Sequence, residues 1–341
     1  MLVAAGVLMA ACAPSAVPLS STTTTASTTP TSTTTTTSLP PPVGLPGTSD
    51  QGVDAFLRTA ERVRVAPVPP GSTTATLPVA GTAAYLRIER IGFRRFGSGP
   101  DLVLVGGEDM SMSNWDPAFL SLLASHFTVV LFDLPGTGFS TGGSPATLQA
   151  WADETAGLIL ALGLERPEVL GWGLGGDVAL DLAETHPTLL GSLVLVDTPA
   201  GGPYGAPSPP SVEAALRSRW LSLGGLASIW FTPAHLSARA AWLSGQEGVL
   251  PDALTESARL AQATVAAAVQ RSDTLWSNLD AVTVPTLVVY GGEDPIVPPS
   301  NARVLAGGIS GARQLVLKKG DYAAIFEYEA AVVSAVTSLG S

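Results

Sequence analysis

The sequence predicts an α/β architecture: a mostly parallel central sheet flanked by helices, with a helical lid inserted late in the chain. Three observations predict it. From Tyr85 onward, short runs rich in β-branched residues alternate with longer stretches of helical period, the pattern of strands joined through crossover helices. Most of those runs are continuously apolar, as expected of strands covered on both faces. More than eighty residues separate Asp197 from Val284, too many for a simple crossover, and they carry several helical stretches together with Trp220, Trp230 and Trp242.

In chain order, the expected strands are Tyr85 to Ile91, Asp101 to Val105, Thr128 to Asp133, Glu168 to Trp172, Ser192 to Asp197, Thr286 to Tyr290 and Gln314 to Leu317. Helical periods fill the gaps at Asp116 to Ser125, Ala146 to Leu162, Leu174 to Glu184, Asn301 to Ala306 and Tyr322 to Leu339. The lid is expected at about 200–280. Residues 50–84 contain one short helical period, Asp54 to Val63, among Pro, Gly and Thr, and are expected to be a lead-in. No internal repeat is present.

The first 49 residues follow different rules. No charged residue occurs before Asp50, and residues 1–12 form an apolar run that ends in small residues and Cys12. Such a run is expected to be an export signal, being shorter than the ~20 residues of a membrane span. Leu8-Met9-Ala10-Ala11-Cys12 resembles the lipobox of bacterial lipoproteins, which implies removal of residues 1–11 and a lipid on Cys12. Residues 12–49 are mostly Thr, Ser and Pro, with too little apolar bulk to offset chain entropy, so a disordered tether is expected. Its hydroxyls could accept sugars. The expected location is outside the cytoplasm, at the membrane through the lipid on Cys12; secretion is the alternative.

Composition excludes several classes. A single cysteine rules out an intramolecular disulfide framework and a Cys-rich zinc site. The formal net charge of -11 opposes binding to phosphate backbones, so no nucleic acid is expected as a partner. With 46% apolar residues, one sizeable core can form from the segment 85–341. No cofactor or metal is expected.

Four glycine-rich motifs carry a resemblance. They are Gly106-Gly107 after one strand, Asp133-Leu134-Pro135-Gly136-Thr137-Gly138-Phe139-Ser140 after the next, Gly171-Trp172-Gly173-Leu174-Gly175-Gly176 at a strand-to-helix turn, and Gly292-Glu293-Asp294-Pro295-Ile296-Val297-Pro298 after a late strand. In order and spacing the segment from Tyr85 to the end resembles the α/β-hydrolase family. In that family the strand-to-helix turn reads G-x-S-x-G and projects a nucleophilic serine above the sheet. Here the position is Gly173, which offers no side-chain oxygen and so no acyl-enzyme. The bend itself should persist, because glycine tolerates its strained dihedrals.

The resemblance also places a histidine base just after the last strand, as a Gly-His pair. The sequence has Gly320-Asp321 there, and no histidine follows His235. Of the three histidines, His126 and His186 fall at the edge opposite the carboxyl ends of the strands, where sites in such folds form, and His235 belongs to the lid. Only the acid position survives, as Asp294. Asp321 is then expected either to cap the last helix or to face Asp294 as half of a weak cation or amine site. The resemblance implies backbone donors for an oxyanion at Leu174 and after Gly106 and Gly107, where Glu108 and Asp109 would oppose the charge unless they point to solvent. Ser111, Ser113 and Ser140 are expected to be turn residues.

Loss of both nucleophile and base argues against serine-type ester hydrolysis. The expected function is therefore that of a pseudoenzyme lipoprotein binding a small apolar ligand or a protein partner. The alternative is an ester or amide hydrolase, or a lyase, working through a non-standard site; a third is a structural envelope module with a collapsed pocket.

Overall fold

The computed structural model describes residues 64–67, 90–140, 143–218, 223–246 and 254–339. The export signal, Cys12, the tether, the helical period Asp54 to Val63 and most of the strand expected at Tyr85 to Ile91 lie outside them.

Eight strands form one sheet: β1 (Arg64–Pro67), β2 (Arg90–Gly97), β3 (Asp101–Val105), β4 (Thr128–Phe132), β5 (Glu168–Trp172), β6 (Ser192–Val196), β7 (Thr286–Gly291) and β8 (Arg313–Leu317). Their order is β1-β2-β4-β3-β5-β6-β7-β8, and every pair from β4 to β8 is parallel. Of the strand expected at Tyr85 to Ile91 only the last two residues are described, and there the strand continues beyond the expected end to Gly97, antiparallel to β4; the lead-in contributes β1 as an antiparallel edge strand. Arg94, Arg95 and Gly97 dilute the apolar signal of β2, which explains why its C-terminal end was expected too early.

Alternation along the strands divides the core in two. Val103, Val105, Leu193 and Leu195 face one apolar layer with α2 (Leu148–Ala161) and α3 (Leu174–Thr185). Leu102, Leu104, Val194 and Val196 face the other, with α1 (Pro117–Ala124) and the C-terminal helices. Asp116 caps α1, its Oδ1 accepting the Ala118 and Phe119 N–H groups at 2.7 and 3.1 Å. Between β6 and β7 the described residues hold α4 (Pro210–Leu216), α5 (Leu223–Trp230), α6 (Leu236–Gln246), α7 (Glu256–Arg271) and the single turn α8 (Thr274–Ser277), in agreement with the expected lid. After β7 comes α9 (Ser300–Gly308).

The expected last helix, Tyr322 to Leu339, is broken. It comprises α10 (Ala324–Glu327) and α11 (Glu329–Thr337), separated at Tyr328, while Asp321 and Tyr322 stand in the preceding turn. Asp321 caps neither helix, since the N-cap positions are Ala323 and Tyr328 and neither makes a side-chain cap bond. Among the described residues no helix is long and apolar enough to cross a membrane.

Candidate functional site

The site forms where the carboxyl ends of β5, β6 and β7 meet the cap. At the end of β5, Gly173 turns sharply into α3 with φ 56° and ψ -122°. This is left-handed backbone that a side chain enters only at a cost, so the bend expected from the sequence is present. The turn is held by the Gly173 N–H donating to Val196 O at 2.9 Å and by the Gly176 N–H donating to Gly173 O at 2.9 Å. Leu174 begins the helix.

The space above Gly173 belongs to Tyr322. A Cβ at position 173 would collide with the Tyr322 hydroxyl and lie 3.1 Å from its Cζ and 3.5 Å from its Cε2. On the opposite side, a Cβ at Gly107 would lie 3.2 Å from the same hydroxyl. The phenol oxygen therefore sits between the elbow and the Gly106-Gly107 loop. Its ring stacks on Trp172 with centroids 4.9 Å apart, and Trp172 Nε1–H donates to Tyr322 O at 3.1 Å.

Further aromatic groups complete the filling. Trp230 of the cap lies 5.2 Å from Trp172 and 5.6 Å from Tyr322, centroid to centroid, and Trp242 lies 5.0 Å from Trp230. The cap is fastened to the Tyr322 turn by the Ala323 N–H, which donates to Trp230 O at 2.7 Å. Two shallow surface hollows, one bordered by Leu122 and Val333 and one by Ala241 and Tyr328, include neither Gly173 nor Tyr322.

Tyr322 is the residue that the sequence reading missed. Asp321 stood at the expected base position; its backbone N–H donates to Glu327 Oε2 at 3.3 Å, and burial, then the charges of Glu327 and Glu293, raise its pKa to about 6. The available signal was volume: a glycine at the elbow leaves a hole, and the largest side chain in the Gly320–Ala324 turn fills it. Burial, with the carboxyl groups of Asp294, Asp197, Glu108 and Asp177, holds the phenol proton on well above the ordinary tyrosine range.

Asp294 lies after β7 as expected, 4% exposed. Its Oδ1 accepts the Ile296 and Val297 N–H groups at 2.7 and 3.0 Å. Its neighbours include Asp321, whose charge adds to the rise in the Asp294 pKa, and Asp197 from the end of β6, whose own pKa is raised in turn by the Asp294 charge. Burial dominates the rise at Asp294, to about 7. No group of three or more acidic, His or Cys side chains among the described residues is arranged to hold a metal ion.

None of the histidines is close enough to replace the base. His186 Nε2 is 3.2 Å from Asp153 Oδ1, far down α3. His235 Nδ1 is 2.8 Å from Thr232 Oγ1 and 3.5 Å from Glu327 Oε1, with its ring against Tyr328. Glu108 and Asp109 present part of their surface to solvent, yet the Glu108 carboxyl is near enough to the Tyr322 phenol to help hold its proton on, so the expected opposition to an oxyanion at this loop stands. Ser140 serves the turn, its hydroxyl donating to Asp133 O and accepting the Gly92 N–H at 2.9 Å. Ser111 caps the following 3₁₀ turn.

Comparison with known proteins accounts for this architecture. Residues 100–328 match the family model described as alpha/beta hydrolase fold. The chain belongs to the α/β-hydrolase family. It is 31% identical over 218 residues to the pimeloyl-[acyl-carrier protein] methyl ester esterase of Neisseria meningitidis serogroup C, covering 59% of this chain and 78% of that one. Against the enzyme of the same name from Aeromonas hydrophila the identity is 42% over 107 residues, but the match spans only 41% of that relative and 31% of this chain. Among solved structures, a hydrolase from Pseudomonas aeruginosa superposes with a TM-score of 0.59 at 28% identity, covering 73% of this chain and 94% of that one. The α/β-hydrolase core is thus shared with esterases while the elbow carries glycine.

Proposed function

We propose that this α/β-hydrolase is non-hydrolytic at the family site, and that it acts by binding a partner on its surface. One observation carries the reading: the Tyr322 hydroxyl occupies the place where a side chain on Gly173 would begin. A serine-type acyl transfer needs an oxygen at the elbow and a base beside it, and the elbow supplies neither. The aromatic contacts among Trp172, Tyr322 and Trp230 over the elbow support a surface-bound protein partner over an apolar ligand held against Gly173. A fluorophosphonate serine-hydrolase probe applied to the purified protein is expected to give no labelling. Labelling of the wild type would overturn the proposal.

The names of the relatives favour a second reading, ester or amide hydrolysis by other groups in the same cleft. It predicts turnover of short acyl esters that is abolished in Asp294→Asn. Absence of turnover at any pH removes it.

We also propose export and lipid anchoring through Cys12, supported by the apolar run before it and the Thr-rich segment after it. Incorporation of labelled palmitate is expected in the wild type and not in Cys12→Ala. Equal incorporation in both would refute the anchor.

A further inference from the structure

The sheet has an open edge at β8. That strand pairs with β7, and among the described residues no strand pairs its other side. Its peptide groups that face away from β7 therefore form a row that an added strand can complete. Every residue of β5, β6 and β7 is buried, whereas Arg313, Gln314 and Val316 of β8 are exposed. Val316 is 44% exposed, an apolar side chain on a sheet edge, where charge is the usual protection. The opposite edge is less suited to pairing: β1 has four residues and ends on Pro67, which has no N–H to donate.

Charge sets this edge apart from the rest of the chain. Between Asp294 and Asp321 the sequence carries no acid and four cations, Arg303, Arg313, Lys318 and Lys319, in a protein whose formal net charge is -11. Lys318 and Lys319 are its two lysines. Both are exposed directly after the last residue of β8, and Arg303 is exposed on α9, the helix that leads into the strand. Arg313 begins β8, and its guanidinium donates to Ser338 O and Ser338 Oγ at 3.1 and 3.2 Å, which fixes its place without cancelling its charge. None of the four is in an ion pair with an acid among the described residues. The acids beyond the strand end, Glu293 and Asp321, are gathered at the Gly320 turn, where the Glu293 N–H donates to Gly320 O at 3.0 Å.

Cations thus stand at both ends of β8, about 16 Å apart at ~3.3 Å per residue, with Val316 between them. We infer that the β8 edge docks an extended acidic segment of a partner protein by strand addition, with an acidic residue toward each end and a β-branched or aromatic side chain against Val316. A second copy of this chain is opposed by the same charges, because antiparallel pairing of two β8 strands brings Arg313 of each toward the lysines of the other. Anionic lipid and nucleic acid match the charge but cannot continue the backbone ladder. The inference rests on the reading that the protein acts by binding a partner on its surface, and it names that surface.

Fluorescence anisotropy on the full chain at low salt tests it, with the labelled heptapeptide Glu-Thr-Val-Thr-Val-Thr-Glu against its counterpart with lysine at both ends. The acidic peptide is expected to bind at least about tenfold tighter than the basic one, and to lose about tenfold when Lys318→Glu and Lys319→Glu are combined. Hydrogen exchange should show the amides of β8 slowed by the acidic peptide and those of β3 unchanged. Equal affinity for the two peptides, no binding of the acidic one at about 1 mM, or binding that leaves the β8 amides unprotected overturns the inference. So does β8 protection that grows with protein concentration in the absence of peptide, the mark of pairing between copies. The underlying reading fails separately: fluorophosphonate labelling of the wild type removes it and the docking proposal together, whereas a silent edge on an unlabelled protein removes the strand addition alone.

Discussion

Gly173→Ser alone will destabilise the protein by about 3 kcal/mol and leave it unreactive toward a fluorophosphonate. The elbow backbone at φ 56° costs a residue with a Cβ about 1–2 kcal/mol. The new side chain must also displace the Tyr322 hydroxyl, and overpacking of a filled core costs about 1–3 kcal/mol more. Denaturant midpoints at constant slope measure the sum. Adding Tyr322→His removes the collision and brings an imidazole to a ring whose Cε2 lies 3.5 Å from the serine Cβ position. Labelling is expected to appear in that double variant. It should not appear in Gly173→Ser with Asp321→His, because Tyr322 then still occupies the space over position 173. Labelling of the Asp321→His pair and not the Tyr322→His pair would show that the base position had been misassigned.

A second large effect is the sign of the pH dependence of stability. Glu154 on α2 is 4% exposed, and both its oxygens are buried without a partner. Burial, then the neighbouring Asp153, raises its pKa to about 9. Glu184 is raised to about 8 by burial, Asp181 and Asp280, and Asp181 to about 6 by burial and Asp153. An acid whose pKa is higher in the folded than in the unfolded chain binds more protons when folded. Its stabilising contribution is full below the unfolded value and is lost as pH rises through the folded one. For Glu154 the window runs from about 4.5 to about 9.

The melting temperature is therefore expected to fall between about pH 5 and about pH 9. A third of the nominal linkage of Glu154 is about 2 kcal/mol, a shift on the order of 5 °C for a domain of this size. Glu154→Gln, neutral at every pH, should flatten the alkaline side of the curve and melt above the wild type there. A wild type that melts higher at about pH 9 than at about pH 5 would contradict the account.

Much of the architecture was legible because it is written in local patterns. Val103, Val130 and Leu193 lie in runs apolar on both faces, which only strands sandwiched between helices require. The end of β2 was read too early because its arginines break the apolar run. The elbow could be read because glycines must stand where backbone passes backbone: a Cβ at Gly171 would meet the backbone of Gly175 and Gly176. The orientation of Asp321 and Tyr322 could not be read in this way. The chain breaks its last helix at Tyr328, and the direction of a side chain in the turn before it depends on dihedrals that no periodicity encodes.

The sequence alone determined the order of strands and helices, the inserted cap, and the absence of a hydroxyl at position 173, since each depends on residue type and short-range spacing. Only the tertiary structure decided that Tyr322 fills the elbow, that Trp230 comes down from the cap upon it, and that the Asp294 carboxyl is buried near that of Asp197. Those contacts join residues distant in the chain, and they are selected by the volume and charge left over once the sheet has closed.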